Sequence, residues 1–201
     1  MKPFLETPRL SLRQLTYEDV DNLYLLDSDP EVMRFVSGGV TSSYKTIKDF
    51  FLPDALSYYE EYDNLGFWAM IEKSTREFVG WIVIRPESRF RLAKLLNVSE
   101  DNALELGYRL RKISWGKGYA TEVCQALLNH VLILENPVKI IAWALPENTA
   151  SIRVMKKLGM KLQAEYILTV ADVLPNTKLL TSSVIQNILD RKIVKYQLVF
   201  Q

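Results

Sequence analysis

The chain is predicted to fold as a mixed α/β, or α+β, domain, and three observations carry that prediction. Along the sequence the apolar residues switch repeatedly between a period of two and a period near 3.6. A hairpin signal sits in the middle, where "GFWAMIEK" and "EFVGWIVIRP" flank the polar turn "KSTRE". The two kinds of pattern alternate instead of separating into blocks, in the order β-α-α-β-β-β-α-β-α-β-(α)-β.

Residues 9–15, "RLSLRQL", alternate with period two and read as a strand. Thr16 or Tyr17 opens a helix in which Val20, Leu23 and Leu26 repeat, with Glu18 and Asp19 well placed in the first turn. "DPEVMRFV" predicts a short second helical piece started by Pro30, and residues 44–62 a further helix bent or broken at Pro53. Residues 88–101 form a basic connection with no clear pattern. The segment 103–111, "ALELGYRLR", reads as a strand interrupted at Gly107, where a bulge or a close approach is expected. A strong helix covers 119–134: Val123, Leu127, Val131 and Leu134 form one stripe, widened by Ala120, Cys124, Leu128 and Leu132. "VKIIAWAL" predicts a buried strand. In "NTASIRVMKKLG" Asn148 caps a helix that stops at Gly159. "MKLQAEYILTV" and "KIVKYQLVF" complete the strands, with a short helix expected within 172–190.

Composition narrows the function classes. With 201 residues, 48% hydrophobic and 24% charged, the chain fits one soluble domain with a real core. A formal charge of +1 leaves no footprint for nucleic acid or an anionic membrane. A single cysteine, Cys124, excludes an intrachain disulfide and a cysteine cluster for metal. The lone His130 argues against a histidine metal site and a Ser–His–Asp triad. No signal peptide or membrane span is evident, so a cytoplasmic protein is expected, monomeric or homodimeric.

One stretch carries chemistry. In "SWGKGYATE", Gly116 and Gly118 lie between the strand 103–111 and the helix that begins near Tyr119. A helix N-terminus offers free N–H groups and a positive dipole end, which suit an anion, above all a phosphate. Glycine allows positive φ and a close approach by the ligand. Lys117 and Thr121 add a charge and a hydroxyl. Alternatively, Gly116 only completes a tight turn. No Walker loop is present, and as a dinucleotide fingerprint the stretch is poor because Thr121 stands at the third glycine position.

The succession of "ELGYRLRKISWGKGYATE", an apolar helix, a buried strand, "PENTASIRVMKKLGM" and a further strand resembles the GCN5-related N-acetyltransferases (GNAT superfamily). Together with "LETPRLSLRQLTYEDVDNLYLLDSDPEVMRF" it resembles the branch that acetylates N-terminal alanines of ribosomal proteins. The resemblance implies a single N-acetyltransferase domain over 1–201: a mostly antiparallel central sheet flanked by helices, with a splayed strand pair forming an acetyl-CoA cleft. It also implies that turn amides at Trp115, Gly116, Lys117, Gly118, Tyr119, Ala120 and Thr121 bind the cofactor diphosphate. The preceding strand, at Tyr108, Arg109 and Leu110, would pair with pantetheine. The family's Gln or Arg three residues before the first glycine is Ile113 here.

Acetyl transfer to an amine needs a proton acceptor, polarisation of the thioester carbonyl and protonation of the departing thiolate. Glu105 is the only ionisable residue in the strand core before Arg109, and is either the general base or a solvated strand charge. The thiolate acid of many relatives is a tyrosine where this chain has Met155. Ser151 is the nearest replacement, unless it is an ordinary first-turn serine. Asn148, besides capping its helix, is implied to contact the pantetheine arm. His130 is expected on a solvent face and Cys124 in the core. Phe67, Trp68, Trp81 and Trp143 fit strand packing, and Tyr58, Tyr59 and Tyr62 either pack the 44–62 helix or line an acceptor cleft. The expected activity is direct acetyl transfer from acetyl-CoA to a primary amine, a protein N-terminus or a small molecule, in a ternary complex without metal. A non-catalytic acyl-CoA-binding module, or a regulator binding ATP or NAD, are the alternatives.

Overall fold

The computed structural model describes residues 3–135, 137, 139–173 and 183–200. Its strands are β1 (Leu5–Glu6), β2 (Leu10–Gln14), β3 (Gly66–Glu72), β4 (Phe78–Pro86), β5 (Ala103–Leu110), β6 (Lys139–Ala144), β7 (Lys161–Ile167) and β8 (Lys192–Val199). They follow one another in the sheet as β1-β2-β3-β4-β5-β6-β8-β7; β1–β2, β2–β3, β3–β4, β6–β8 and β7–β8 are antiparallel and β5–β6 is parallel. The mixed α/β class and the mostly antiparallel sheet flanked by helices agree with the sequence reading. The chain divides into two units, one comprising the residues up to Val32, Thr41–Ile84 and 107 onward to the end of the following helix. The other comprises Met33–Val40, Arg85–Leu106 and the chain from Pro137.

In the first unit, Thr16 caps a 3-10 turn, Tyr17–Asp19, through a capping box, and α1 (Val20–Asp27) follows; α2 (Pro30–Ser37) starts in this unit, and its residues from Met33 belong to the second. Arg13 grips Asp19 through two bonds of 2.7 Å, so the strand and the helix start are tied together. The helix expected over 44–62 is α3 (Tyr44–Thr46), a π-type stretch over Ile47–Phe51 and α4 (Leu52–Glu61). Its break is not at Pro53 itself. The ladder widens just before the proline, the Leu52 N–H reaching back five residues to Ile47 O, so that Pro53 falls in the first turn of α4, where its missing N–H costs nothing. These helices cover one face of the strands: Leu15, Leu23, Leu26, Ile47, Leu52, Ala55 and Tyr58 pack with Phe67, Ala69, Phe78, Trp81 and Val83. Tyr58 meets Phe67 at 5.7 Å, and the Tyr59 hydroxyl donates to Phe67 O, so both tyrosines serve helix packing.

Most of the predicted stripe buries α6 (Tyr119–Glu135), with Val123, Cys124, Leu127 and Val131 fully enclosed, but Leu134, expected on it, is 50% exposed near the helix end. Burial of each large aliphatic chain stabilises by about 2 kcal/mol. His130, expected in solvent, is instead half-buried: Phe4 stacks on Trp68 at 3.6 Å and meets the imidazole in a T-shaped contact at 4.9 Å. Strand β5 runs without a break through Gly107. The close approach expected there occurs on β4: a β-carbon at Gly80 would overlap the Arg109 carbonyl, and the neighbouring Val79 O accepts from Arg111 N–H at 2.9 Å.

In the second unit, the connection 88–101 contains a 3-10 turn, Glu87–Arg89, and α5 (Arg91–Leu95). Strand β8 inserts between β6 and β7. Asn148 caps α7 (Thr149–Lys157), accepting from Ser151 N–H at 3.2 Å, and the helix closes with Met160 N–H on Met155 O at 3.0 Å. Of the helix expected within 172–190, α8 (Val170–Val173) and α9 (Ser183–Ile188) are seen; residues 174–182 lie outside the described residues. Leu92, Leu145, Leu168, Ile185, Ile188 and Ile193 form this unit's core. Beside it lies a buried ionic cluster, with Lys195 Nζ 2.9 Å from Glu87 and 3.0 Å from Glu100, which also accepts from Lys139 and Gln163.

Candidate active site

The glycine turn has the backbone that its sequence demands. Gly116 has φ +75° and Gly118 φ +82°, conformations that other residues seldom adopt. Lys112–Ser114 make a 3-10 turn ahead of it, and α6 starts at Tyr119. Residues 115–118 are exposed. Among the described residues none accepts from the amides of 116–121, so the turn and the helix start offer a run of open N–H donors. Trp115, expected to contribute its amide, donates that N–H to Lys112 O at 3.1 Å, which closes the preceding turn. Its indole donates to Leu110 O at 2.9 Å, fixing the end of β5 to the turn. A β-carbon on Gly116 would meet nothing within 4 Å, which leaves open space over the amides. The residues present therefore fit a diphosphate.

Next to the turn lies a cavity of about 570 Å³, lined by Leu25, Leu26, Val32 and Ile113 with Ser28, Asp29, Arg111 and Lys112. Ile113 is 72% exposed on its wall. On β5, Arg109 turns its guanidinium onto the buried Asp27, 2.6 Å from both oxygens, and lies 5.1 Å from the Trp81 ring. Tyr108 is half-buried and Leu110 buried. Thr121 is half-buried, and Ala120 and Tyr119 are buried at the start of α6.

Glu105 is not a solvated strand charge. It is 5% exposed and accepts from Arg85 Nε at 2.8 Å. Burial pushes its carboxyl above the usual range, and Arg85 offsets this only in part. The β5–β6 ladder pairs Ala103 with Lys139, Leu104 with Ile140 and Glu105 with Ile141. Around Arg85 the aromatics form a row: Phe90 lies 4.9 Å from the guanidinium and 6.2 Å from Trp143, which is 5.5 Å from Tyr166. In α7, Ser151 and Asn148 share the cap bond, both half-buried, while Met155 is 5% exposed. Cys124 is fully enclosed, and burial pushes its thiol far above the normal range, so it is no nucleophile.

Sequence reasoning missed the partners. Arg85, Asp27, Arg9 and Glu122 each pair with a residue that local pattern does not indicate.

A sequence profile for the GNAT acetyltransferase domain matches residues 9–161. The N-acetyltransferase p20 of Bacillus licheniformis is 30% identical over 157 residues, covering 78% of this chain and 82% of that protein. A GNAT-family acetyltransferase structure from Bacillus anthracis superposes with a TM-score of 0.69 at 21% identity, over 97% of both chains. RimL, a ribosomal L7/L12 alpha-N-protein acetyltransferase solved with coenzyme A, superposes with a TM-score of 0.70 at 15% identity, over 99% of this chain and 98% of that one. The chain belongs to the GNAT family of acetyltransferases.

Proposed function

We propose that the chain is a single N-acetyltransferase domain, using acetyl-CoA and transferring acetyl directly to a primary amine, on a protein N-terminus or a small molecule, in a ternary complex. The observation that carries this reading is the run of unpartnered amides over 116–121 on two glycines of positive φ. Gly116, Lys117, Gly118, Tyr119, Ala120 and Thr121 would hold the diphosphate, and β5 at Tyr108 and Arg109 the pantetheine arm, with Asn148 as a further contact. The cavity walls at Leu25 and Ile113 suit the apolar part of such a ligand.

Acetyl-CoA supplies the acetyl group already activated as a thioester. Glu105, held by Arg85 and kept basic by burial, takes the proton from the attacking amine. As the N–C bond forms and the C–S bond breaks, Ser151 passes a proton to the departing sulfur, directly or through a water. With Cys124 enclosed, direct transfer is favoured over an acyl-cysteine.

The test is free-CoA release across peptide N-termini, polyamines and amino acids, paired with calorimetry of CoA binding. Saturable binding with thiol release for one acceptor class is expected. A second reading, a non-catalytic acyl-CoA-binding module, draws on the Glu105–Arg85 pair and on Met155 at the tyrosine position. Binding without thiol release for any amine would establish it instead.

A further inference from the structure

A loop with two glycines can point its amides in many directions, so a grip on a diphosphate needs something to fix the orientation. The bend just ahead of β2, at Thr7 and Arg9, does this. Arg9 Nη1 donates to Lys117 O at 2.8 Å, in the middle of the glycine turn. The rest of its fork closes on Glu122, in the first turn of α6, with Nε at 2.7 Å and Nη2 at 2.6 Å from Oε2. The other carboxylate oxygen accepts from Arg9 N–H at 3.0 Å and from the Thr7 hydroxyl at 2.6 Å. Thr7 is itself set by Leu10 N–H at 2.9 Å. The guanidinium also lies 4.8 Å from the Tyr119 ring, whose hydroxyl donates to Glu72.

Two consequences follow from elementary chemistry. The C=O and N–H of a trans peptide point in opposite directions. Anchoring the Lys117 carbonyl toward Arg9 therefore turns the Gly118 N–H away from it. In addition, a carboxylate in the first turn of α6 suits the helix dipole but repels an anion arriving at the same end. Glu122 has its oxygens saturated by Thr7 and Arg9, which hold its carboxyl below the usual range against the opposing effect of burial.

We propose that Arg9 is the positioning residue of the diphosphate grip: it aims the Gly118 amide through Lys117 O and masks the Glu122 carboxylate. This rests on the acetyl-CoA reading above. Only a planar fork reaches the carboxylate and the carbonyl together, so lysine replaces the charge without the geometry.

The experiment compares the wild-type protein, Arg9→Gln and Arg9→Lys by calorimetry with CoA and by amide NMR of the Gly118 N–H during the same titration. In Arg9→Gln the CoA affinity falls about tenfold and the CoA-induced shift of the Gly118 amide is lost. In Arg9→Lys, which keeps a cation over Glu122, the affinity recovers only in part and the shift stays reduced. Arg9→Gln binding CoA within twofold of wild type, or an unaltered Gly118 response in both variants, overturns the proposal while leaving the acetyl-CoA reading intact. A wild-type protein that gives no heat with CoA overturns both.

Discussion

Glu105 stands where two effects oppose each other. Burial favours its neutral form, and the Arg85 guanidinium favours its charge; burial wins, so the carboxyl titrates above the ordinary range. Its carboxylate form is the working one, so the rate should rise with pH through that raised value. Glu105→Gln should lower kcat by about 100-fold or more and flatten this limb, with the KM for acetyl-CoA nearly unchanged. Arg85→Met removes the favourable charge and should move the limb to higher pH; a pH profile of kcat/KM checks both. Gly116 is a different case, since its role is backbone. Gly116→Ala places a side chain at φ +75° in open space. A stability loss of about 1 kcal/mol is expected from the conformation. A separate fall in CoA affinity of about tenfold should follow from filling the space over the amides. Thermal unfolding and calorimetry separate the two.

At the scale of elements, α6 and the strands set where these residues stand. The helix is held by a stripe of aliphatic side chains, and its first turn is held by Thr7 and Arg9 from the far end of the sequence. Strand β4 approaches β5 so closely at Gly80 that no side chain fits against the Arg109 backbone. Gly80→Ala should therefore cost about 3 kcal/mol, because the obstacle is backbone and cannot rotate away. A lowered urea midpoint with an unchanged slope would show it; a midpoint equal to wild type would refute the close approach.

Across the whole molecule, the carboxylates that accept most bonds govern acid stability. Burial pushes Glu100 up, but bonds from Lys139, Lys195 and Gln163 prevail and hold it at about 2 instead of the usual 4.5. Asp19 is likewise lowered, Arg13 and Thr16 outweighing its burial. Their folded values lie below their unfolded ones, so their contribution is complete above the unfolded value and is lost as pH falls through the folded one. Urea stability measured from pH 7 downward should decline between about 4.5 and about 2. In Glu100→Gln part of that slope should disappear.

The sequence by itself determined the features that are local: the alternation of elements, the buried stripe of α6, the Asn148 cap and the two glycines of the turn. Each depends on periodicity or on a single residue's backbone preference, and both act over a few residues. Only the tertiary structure decided which charges are neutralised. Arg9 and Glu122 are 113 residues apart, Asp27 and Arg109 82, and Arg85 and Glu105 20. The same holds for the half-burial of His130 under Phe4 and the insertion of β8 between β6 and β7. Pairing of this kind arises when distant segments pack, and neither the spacing nor the composition of the chain encodes which partner a side chain will meet.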